Sequence, residues 1–287
     1  MKKILVTGAN GQLGKELRDW SARHPGEFEF LFLSREDMPI HHFELVRSVF
    51  ESFQPNYCIN CAAYTAVDKA ESEKELAYLI NAESVGILAA VSAANQCRFV
   101  HVSTDYVYNG DSPSSHAEED QPLPVSVYGH SKLKGEQEAM TNNPHSIIIR
   151  TSWVYSVYGN NFVKTMIRLM NERSTLSVVN DQRGSPTWAA DLANFIMHVV
   201  AFNKWIPGIY NFSNEGEITW YDFACEIKRQ IGASCEVLPI PTVNYPTPAK
   251  RPANSIMSKE KIKQVFGYRS PDWKQSLSEC IRSLTGK

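Results

Sequence analysis

The chain has 287 residues, enough for one large domain or two modest ones and for a sizeable apolar core. Hydrophobic residues make up 43% and charged residues 21%, as in ordinary globular proteins, and 29 basic against 31 acidic residues leave a net charge of −2. That balance argues against wrapping nucleic acid or docking on an acidic membrane.

No apolar run reaches the ~20 residues of a membrane span. The apolar stretch after Met1-Lys2-Lys3 ends at Val6, too short for an export signal, so a cytoplasmic protein is expected. Residues 4–6 read as a short buried strand, 12–22 as a helix and 28–33 as a second strand. A helix over about 42–53 follows, with Val46, Val49, Phe50 and Phe53 at helical spacing. Residues 57–61 form the next strand, and a long helix runs through Leu76, Leu79, Ile80, Ile87 and Leu88. Residues 98–102 make a fourth strand and 146–150 a fifth, after an intervening helix. Short apolar strands without strict alternation, separated by helices, predict an α/β fold with a doubly wound parallel Rossmann sheet. Beyond Arg150 prolines interrupt the pattern and aromatics cluster at Trp153, Tyr155, Tyr158 and Trp188. A smaller α/β lobe is expected there, with some segments rejoining the main sheet.

Cys58, Cys61, Cys97, Cys225, Cys235 and Cys280 are scattered and expected to stay reduced. Cys58-Ile59-Asn60-Cys61 matches C-x-x-C, but it lies in a strand with no second pair and no His cluster. Small buried thiols are the expectation, and no metal site. Lys259-Glu260-Lys261-Ile262-Lys263 reads as a solvated helix face.

Directly after the first strand stands Gly8-Ala9-Asn10-Gly11-Gln12-Leu13-Gly14, a G-x-x-G-x-x-G opening the first helix. Glycines there permit a tight turn and close approach of backbone to a pyrophosphate, whose charge the helix N–H groups receive. Residues 1–152 are therefore expected to bind a dinucleotide and 153–287 mostly to hold substrate. The second strand ends at Ser34-Arg35. An arginine here suits the 2′-phosphate of NADP, although Glu36 and Asp37 could pair with it, so NAD stays open.

Tyr128-Gly129-His130-Ser131-Lys132 is a Y-x-x-x-K that a helix would bring to one face. A lysine ammonium, with the charge of an oxidised nicotinamide, would favour the phenolate and lower the tyrosine pKa for proton transfer. Lys132 could also hold the nicotinamide ribose. The pair follows a strand ending Val102-Ser103-Thr104-Asp105, at the sheet edge where ligands bind.

Several longer segments are more specific still. They are Ile59-Asn60-Cys61-Ala62-Ala63-Tyr64-Thr65-Ala66-Val67-Asp68-Lys69-Ala70-Glu71, Val102-Ser103-Thr104-Asp105-Tyr106-Val107-Tyr108, Arg150-Thr151-Ser152-Trp153-Val154-Tyr155, Asp181-Gln182-Arg183-Gly184-Ser185-Pro186-Thr187 and Arg251-Pro252-Ala253-Asn254-Ser255. In these the whole chain resembles the dTDP-4-dehydrorhamnose reductase family of extended short-chain dehydrogenases. The resemblance implies NADPH- or NADH-dependent reduction of the 4-keto group of dTDP-4-dehydro-L-rhamnose, a step toward cell-surface polysaccharide precursors. It implies Tyr128, Lys132 and Thr104 as catalytic residues, and Thr104, Asp105, Tyr128 and Trp153 as contacts to the sugar nucleotide. For the cofactor it implies Gly8, Asn10, Gly11, Gln12, Leu13 and Gly14, then Ser34, Arg35 and Ile40, and Ala62, Ala63, Tyr64, Thr65 and Val102 with Tyr128 and Lys132. Pro39-Ile40 stands where members usually carry Asp before an apolar residue, which puts a side-chain bond to adenine in question, and Ser185 replaces a commoner alanine. A homodimer is compatible with the resemblance. Two other readings stay open: a reductase or epimerase of another nucleotide sugar, and a non-catalytic regulatory subunit of the same fold, which would have no need of Tyr128 and Lys132.

Overall fold

In the computed structural model, which describes residues 1–286, the chain opens with β1 (Lys2–Thr7), whose Ile4, Leu5 and Val6 are wholly buried. A continuous apolar run of this kind suits a central strand covered on both faces. α1 (Gln12–Arg23), β2 (Phe28–Leu33), α2 (Phe43–Phe53), β3 (Tyr57–Asn60) and the short α3 (Val67–Ala70) follow. A continuous helical stretch then comprises α4 (Lys74–Tyr78), a π turn (Leu79–Glu83) and α5 (Ser84–Ala94). β4 (Arg98–Thr104), α6 (Val127–Asn142) and β5 (Ile147–Thr151) complete the first half.

After β5 the chain alternates between a second lobe and the main sheet. β6 (Val154–Tyr155), α7 (Phe162–Glu172), β7 (Thr175–Val179), β8 (Arg183–Gly184) and β9 (Thr187–Trp188) lie outside that sheet, and α8 (Ala189–Ala201) returns to it. β10 (Gly208–Phe212) then pairs parallel with β5, Gly208 opposite Ile147 and Phe212 opposite Thr151. The six-stranded sheet has the order β10-β5-β4-β3-β1-β2, parallel at every pairing. β11 (Ile218–Thr219), α9 (Trp220–Ile231), β12 (Glu236–Ile240), α10 (Glu260–Phe266) and α11 (Trp273–Thr285) finish the chain. Leu192, Phe195 and Ile196 of α8 and Ile262 and Phe266 of α10 share one core with β1, β3 and β5. A separate core gathers Val163, Phe223, Ile227, Trp273 and Leu277 from α7, α9 and α11.

Three expectations change here. The helical stretch Lys74–Ala94 has 21 residues and is apolar enough to cross a membrane by length and composition, contrary to the reading that no segment is. Its burial in the fold is that of a core helix: Ala77, Ala82, Val85, Leu88 and Ala89 are covered. Lys259 is not part of a solvated face, for it is buried and its Nζ lies 3.6 Å from a Glu215 oxygen. β4 runs two residues beyond its apolar part, because the buried Ser103 hydroxyl finds Glu136 and Thr104 finds Asp105.

Two contacts fix α6 in depth. Glu136 on α6 accepts three bonds from Arg150 on β5, from Nε to Oε1 at 3.0 Å and to Oε2 at 3.2 Å and from Nη2 to Oε2 at 2.7 Å, and both residues are buried. A paired, fully bonded buried charge is tolerated where a lone one is not. On its other flank, α6 passes the π turn at Gly135, where a Cβ would collide with the Asn81 carbonyl oxygen. The extra residue of the π turn points Asn81 inward. Its Oδ1 accepts from the Tyr64 N–H at 2.8 Å, and its Nδ2 donates to the Tyr64 carbonyl and to Ser131 Oγ, each at 3.0 Å. Gly135→Ala is expected to force α6 off this turn and to destabilise the protein by about 1–3 kcal/mol, the range for overpacking a close contact. Urea unfolding measures it, and an unchanged midpoint would mean that the helices have room to spare.

Candidate active site

The glycine turn makes a cradle by excluding side chains. Gly8 has φ +66° and a Cβ on it would lie 2.6 Å from the Ala62 nitrogen; one on Gly14 would lie 2.5 Å from the Gly8 carbonyl oxygen. Gly11 is the N-cap of α1 and supplies no side-chain cap. The first N–H groups of the helix, at Gln12, Leu13 and Gly14, are thus free for an anion. Asn10 and Gly11 are exposed at the turn, whereas the Leu13 side chain is buried, leaving its backbone for a ligand. Beside the turn a cavity of about 200 Å³ is lined by Ser34, Arg35, Pro39, Ile40, Ala62, Ala63 and Tyr64, with Gly8 at one end. Thr65 is exposed just beyond it.

The end of β2 explains what Arg35 does there. The Asp37 carboxylate accepts the Ser34 N–H at 2.9 Å, and the Ser34 hydroxyl accepts from the N–H groups of Glu36 and Asp37. Arg35 is exposed and joins no ion pair among the described residues, so the alternative that it pairs with Glu36 or Asp37 is not realised. His41, not singled out in the sequence, also lines this cavity, and its buried Nδ1 has no hydrogen-bond partner. A cradle that only glycine permits, free helix N–H groups and an orphaned imidazole nitrogen together fit an adenine dinucleotide.

Tyr128 and Lys132 lie in the first turns of α6, which Ser126 caps by accepting the Gly129 N–H. Both are buried, Tyr128 at 8% exposure and Lys132 at 1%. The Tyr128 ring meets Tyr106 edge-on at 5.5 Å. Burial pushes the Tyr128 phenol up to about 12, against the opposing effect of the neighbouring Thr104 hydroxyl. Lys132 does not offset that rise. Burial pushes Lys132 itself down to about 8, and its Nζ donates to the Val102 carbonyl at 2.7 Å and stands 3.3 Å from His101 Nε2. Thr104 donates to Asp105 Oδ1 at 3.0 Å, while the buried Asp105 Oδ2 has no partner in hydrogen-bond geometry.

Trp153 follows directly on the end of β5 and packs with the second lobe. Its φ of +47° is uncommon for a side chain of this size. Trp220 stacks on its ring at 3.6 Å, and Gly184 lies so close beneath that a Cβ there would reach 2.6 Å from Cε2. The Ser152 hydroxyl donates to the Ser185 carbonyl, and the Ser185 hydroxyl to that of Gly216. The serine found in place of alanine thus adds a bond. The lobes are also joined directly. Arg251 grips Asp68 with two bonds, of 3.1 and 2.9 Å, and Asn161 donates to Gln12 Oε1 at 2.9 Å.

Residues 1–285 match the family described as RmlD substrate binding domain. The dTDP-4-dehydrorhamnose reductase of Aggregatibacter actinomycetemcomitans is 42% identical over 96% of this chain and 97% of its own length. The chain belongs to the dTDP-4-dehydrorhamnose reductase family. Among solved members, the Clostridium acetobutylicum protein superposes with a TM-score of 0.95 at 40% identity, covering 98% of this chain and 99% of its own. The Bacillus anthracis dTDP-4-dehydrorhamnose reductase, solved in complex with NADP, gives 0.95 at 38%, covering 99% of this chain and all of its own.

In this reductase-family site the C-x-x-C cysteines are free thiols, and Cys61 sits at the end of β3 near Lys132. Burial pushes the Cys58 thiol up to about 12 and those of Cys61 and Cys97 higher. Asp105 carries the opposite kind of tension. Burial raises its carboxyl to about 6, with the Ser255 and Thr104 hydroxyls only partly offsetting this. Because the folded value lies above the unfolded one, ionised Asp105 weakens the fold at neutral pH, and the penalty fades as pH falls through about 6 toward the unfolded value. Asp105→Asn is therefore expected to raise the unfolding midpoint above pH 7 while weakening sugar-nucleotide binding, with the stability gain shrinking toward pH 4. Thermal melts across pH check this; a variant less stable than the parent at pH 8 would contradict it.

Proposed function

We propose that this chain reduces the 4-keto group of dTDP-4-dehydro-L-rhamnose, giving dTDP-L-rhamnose, with NADPH preferred and NADH accepted. The observation that carries the reading is the buried, protonated Tyr128 phenol beside Thr104, at the sheet edge that also holds the glycine cradle. Residues 1–152 would carry the cofactor and 153–287 most of the sugar nucleotide. Bound in the cradle, NADPH supplies the hydride. Hydride delivery to a ketone leaves an alkoxide, a stronger base than a phenolate, so Tyr128 is placed to give its proton to O4 as the charge develops. The Thr104 hydroxyl orients the carbonyl, the open Asp105 Oδ2 accepts a sugar hydroxyl, and Trp153 gives the sugar nucleotide a rigid face. Lys132 holds the nicotinamide ribose and sets the charge around Tyr128. A silent regulatory subunit would have no use for this buried pair.

Purified protein given dTDP-4-dehydro-L-rhamnose should consume reduced nicotinamide mole for mole with product, whereas an epimerase that recycles its cofactor would consume none. Tyr128→Phe keeps the ring and removes the proton, and is expected to reduce turnover by ~10²–10⁴-fold with cofactor binding little changed. Turnover within a few-fold of the parent, with chemistry rate-limiting, would place the acid elsewhere. Trp153→Ala should raise KM for the sugar nucleotide while NADPH still binds, and an equal loss of NADPH affinity would make Trp153 a support of the whole fold. The unpaired Arg35 implies that Arg35→Ala raises KM for NADPH more than for NADH; equal effects, or a parent that prefers NADH, would remove the 2′-phosphate contact.

A further inference from the structure

Residues 156–161 of the second lobe run along one face of α1, the helix whose N-terminus closes the glycine cradle. The Ser156 hydroxyl donates to Glu16 Oε1 at 2.6 Å and the Tyr158 hydroxyl to Asp19 Oδ2 at 2.7 Å. Nearest the cradle the partner is Gln12, the first residue of α1. Gly159, with φ +63°, lies so close to its stem that a Cβ there would come within 3.1 Å of Gln12 Cγ, and Asn161 Nδ2 lies 2.9 Å from Gln12 Oε1.

Which end of each amide faces the other follows from partners that leave no choice. Asn161 is the N-cap of α7, where its side-chain oxygen accepts the Lys164 backbone N–H at 3.1 Å. Its other end lies 2.7 Å from the Ser156 carbonyl oxygen and 3.2 Å from that of Tyr158, and carbonyls only accept. That end is therefore the NH2 group, and what Gln12 turns toward it must be oxygen. The Gln12 NH2 group is then left without a partner among the described residues. Side chains of a helix lean toward its N-terminus, so this donor stands on the same side as the free N–H groups of Gln12, Leu13 and Gly14.

We propose that Asn161 is a positioning residue for the cofactor: by holding the Gln12 oxygen it keeps the Gln12 NH2 group turned to the pyrophosphate of the dinucleotide. The inference rests on the reading of the glycine cradle as the dinucleotide site and deepens it. An unconstrained glutamine amide presents oxygen and NH2 with nearly equal ease, and an oxygen turned to a phosphate sets acceptor against acceptor. Held by Asn161, the same side chain adds a donor to those of the helix backbone. The second lobe thereby contributes to cofactor affinity without touching the cofactor.

Dinucleotide affinity, measured by calorimetry with no sugar nucleotide present, tests this. Asn161→Ser keeps an N-cap oxygen for α7 and removes the NH2 group. Asn161→Asp keeps the cap as well, but its carboxylate only accepts, so it draws the Gln12 NH2 group to itself and turns the oxygen to the pyrophosphate. Asn161→Ser should weaken binding about threefold and Asn161→Asp about tenfold or more, the scale of one hydrogen bond to a charged group. The loss should be equal for NADPH, NADH and ADP-ribose, which share the pyrophosphate and differ elsewhere. In a Gln12→Ala background Asn161→Ser should cost nothing further. A purely structural role would weaken binding in that background too, and that result would refute the proposal, as would parent affinity in Asn161→Asp. NMR gives a direct signature: the Gln12 side-chain N–H signal should move downfield when ADP-ribose binds to the parent, and an unmoved signal would overturn the idea. A parent that binds none of the three nucleotides would overturn the cradle itself and the proposal with it, whereas a parent that binds them with Asn161 indifferent removes the proposal alone.

Discussion

Where α6 crosses the π turn, a hydrogen atom separates the helix backbone from the Asn81 carbonyl. Much of the site is set by that approach. It brings Tyr128 and Lys132 to the end of β4, lets Ser131 meet Asn81, and leaves the Asn81 amide to hold both backbone groups of Tyr64 at the edge of the cofactor cavity. A regular α-helix over residues 79–83 would rotate Asn81 away and leave those groups unbonded. The irregular turn is thus stabilised by the bonds that it alone makes possible.

On the opposite flank of α6 the constraint is electrostatic. Arg150 and Glu136 are buried together and bonded also to Tyr108 and Ser103, so removal of either would strand the other as a bare charge. The same interior tolerates Asp105 with one oxygen unpartnered and Trp153 in an uncommon backbone conformation. Asp105 stands next to the proposed catalytic Thr104, while the fully bonded pair lies farther along α6. Stability is concentrated in the support of the site, and the unsatisfied groups are left where a ligand can satisfy them.

The Rossmann half was legible because its strands are continuous apolar runs and its glycine turn stands between strand and helix. β10 was not placed from sequence. Gly208-Ile209-Tyr210-Asn211-Phe212 has no pattern of its own that assigns it to the main sheet, and only α8, packed on that sheet, brings it beside β5. Tyr128 and Lys132 could be read as a pair from their spacing, but their protonation could not, since it depends on burial. Asn81 gave a faint signal as one polar residue within Leu79-Ile80-Asn81-Ala82, yet helical periodicity conceals a π turn. Lys259 misled in the opposite sense: three lysines in five residues look solvated, and only the fold brings Glu215 to the first of them. The Lys74–Ala94 stretch combines two short helices and a π turn into a length that residue counting did not anticipate.

The thiols of the cofactor half carry a consequence for the chemistry of damage. Electrophiles and peroxides attack thiolates, and burial keeps Cys58, Cys61 and Cys97 almost wholly as thiols at neutral pH. Cys61 stands just beyond the end of β3, close enough to Lys132 to feel its charge, and even there the ammonium's influence is outweighed by desolvation. A C-x-x-C sequence that resembles a redox motif is, in this setting, chemically quiet. The proposed active site can therefore carry sulfur near Lys132 without offering oxidants a reactive anion.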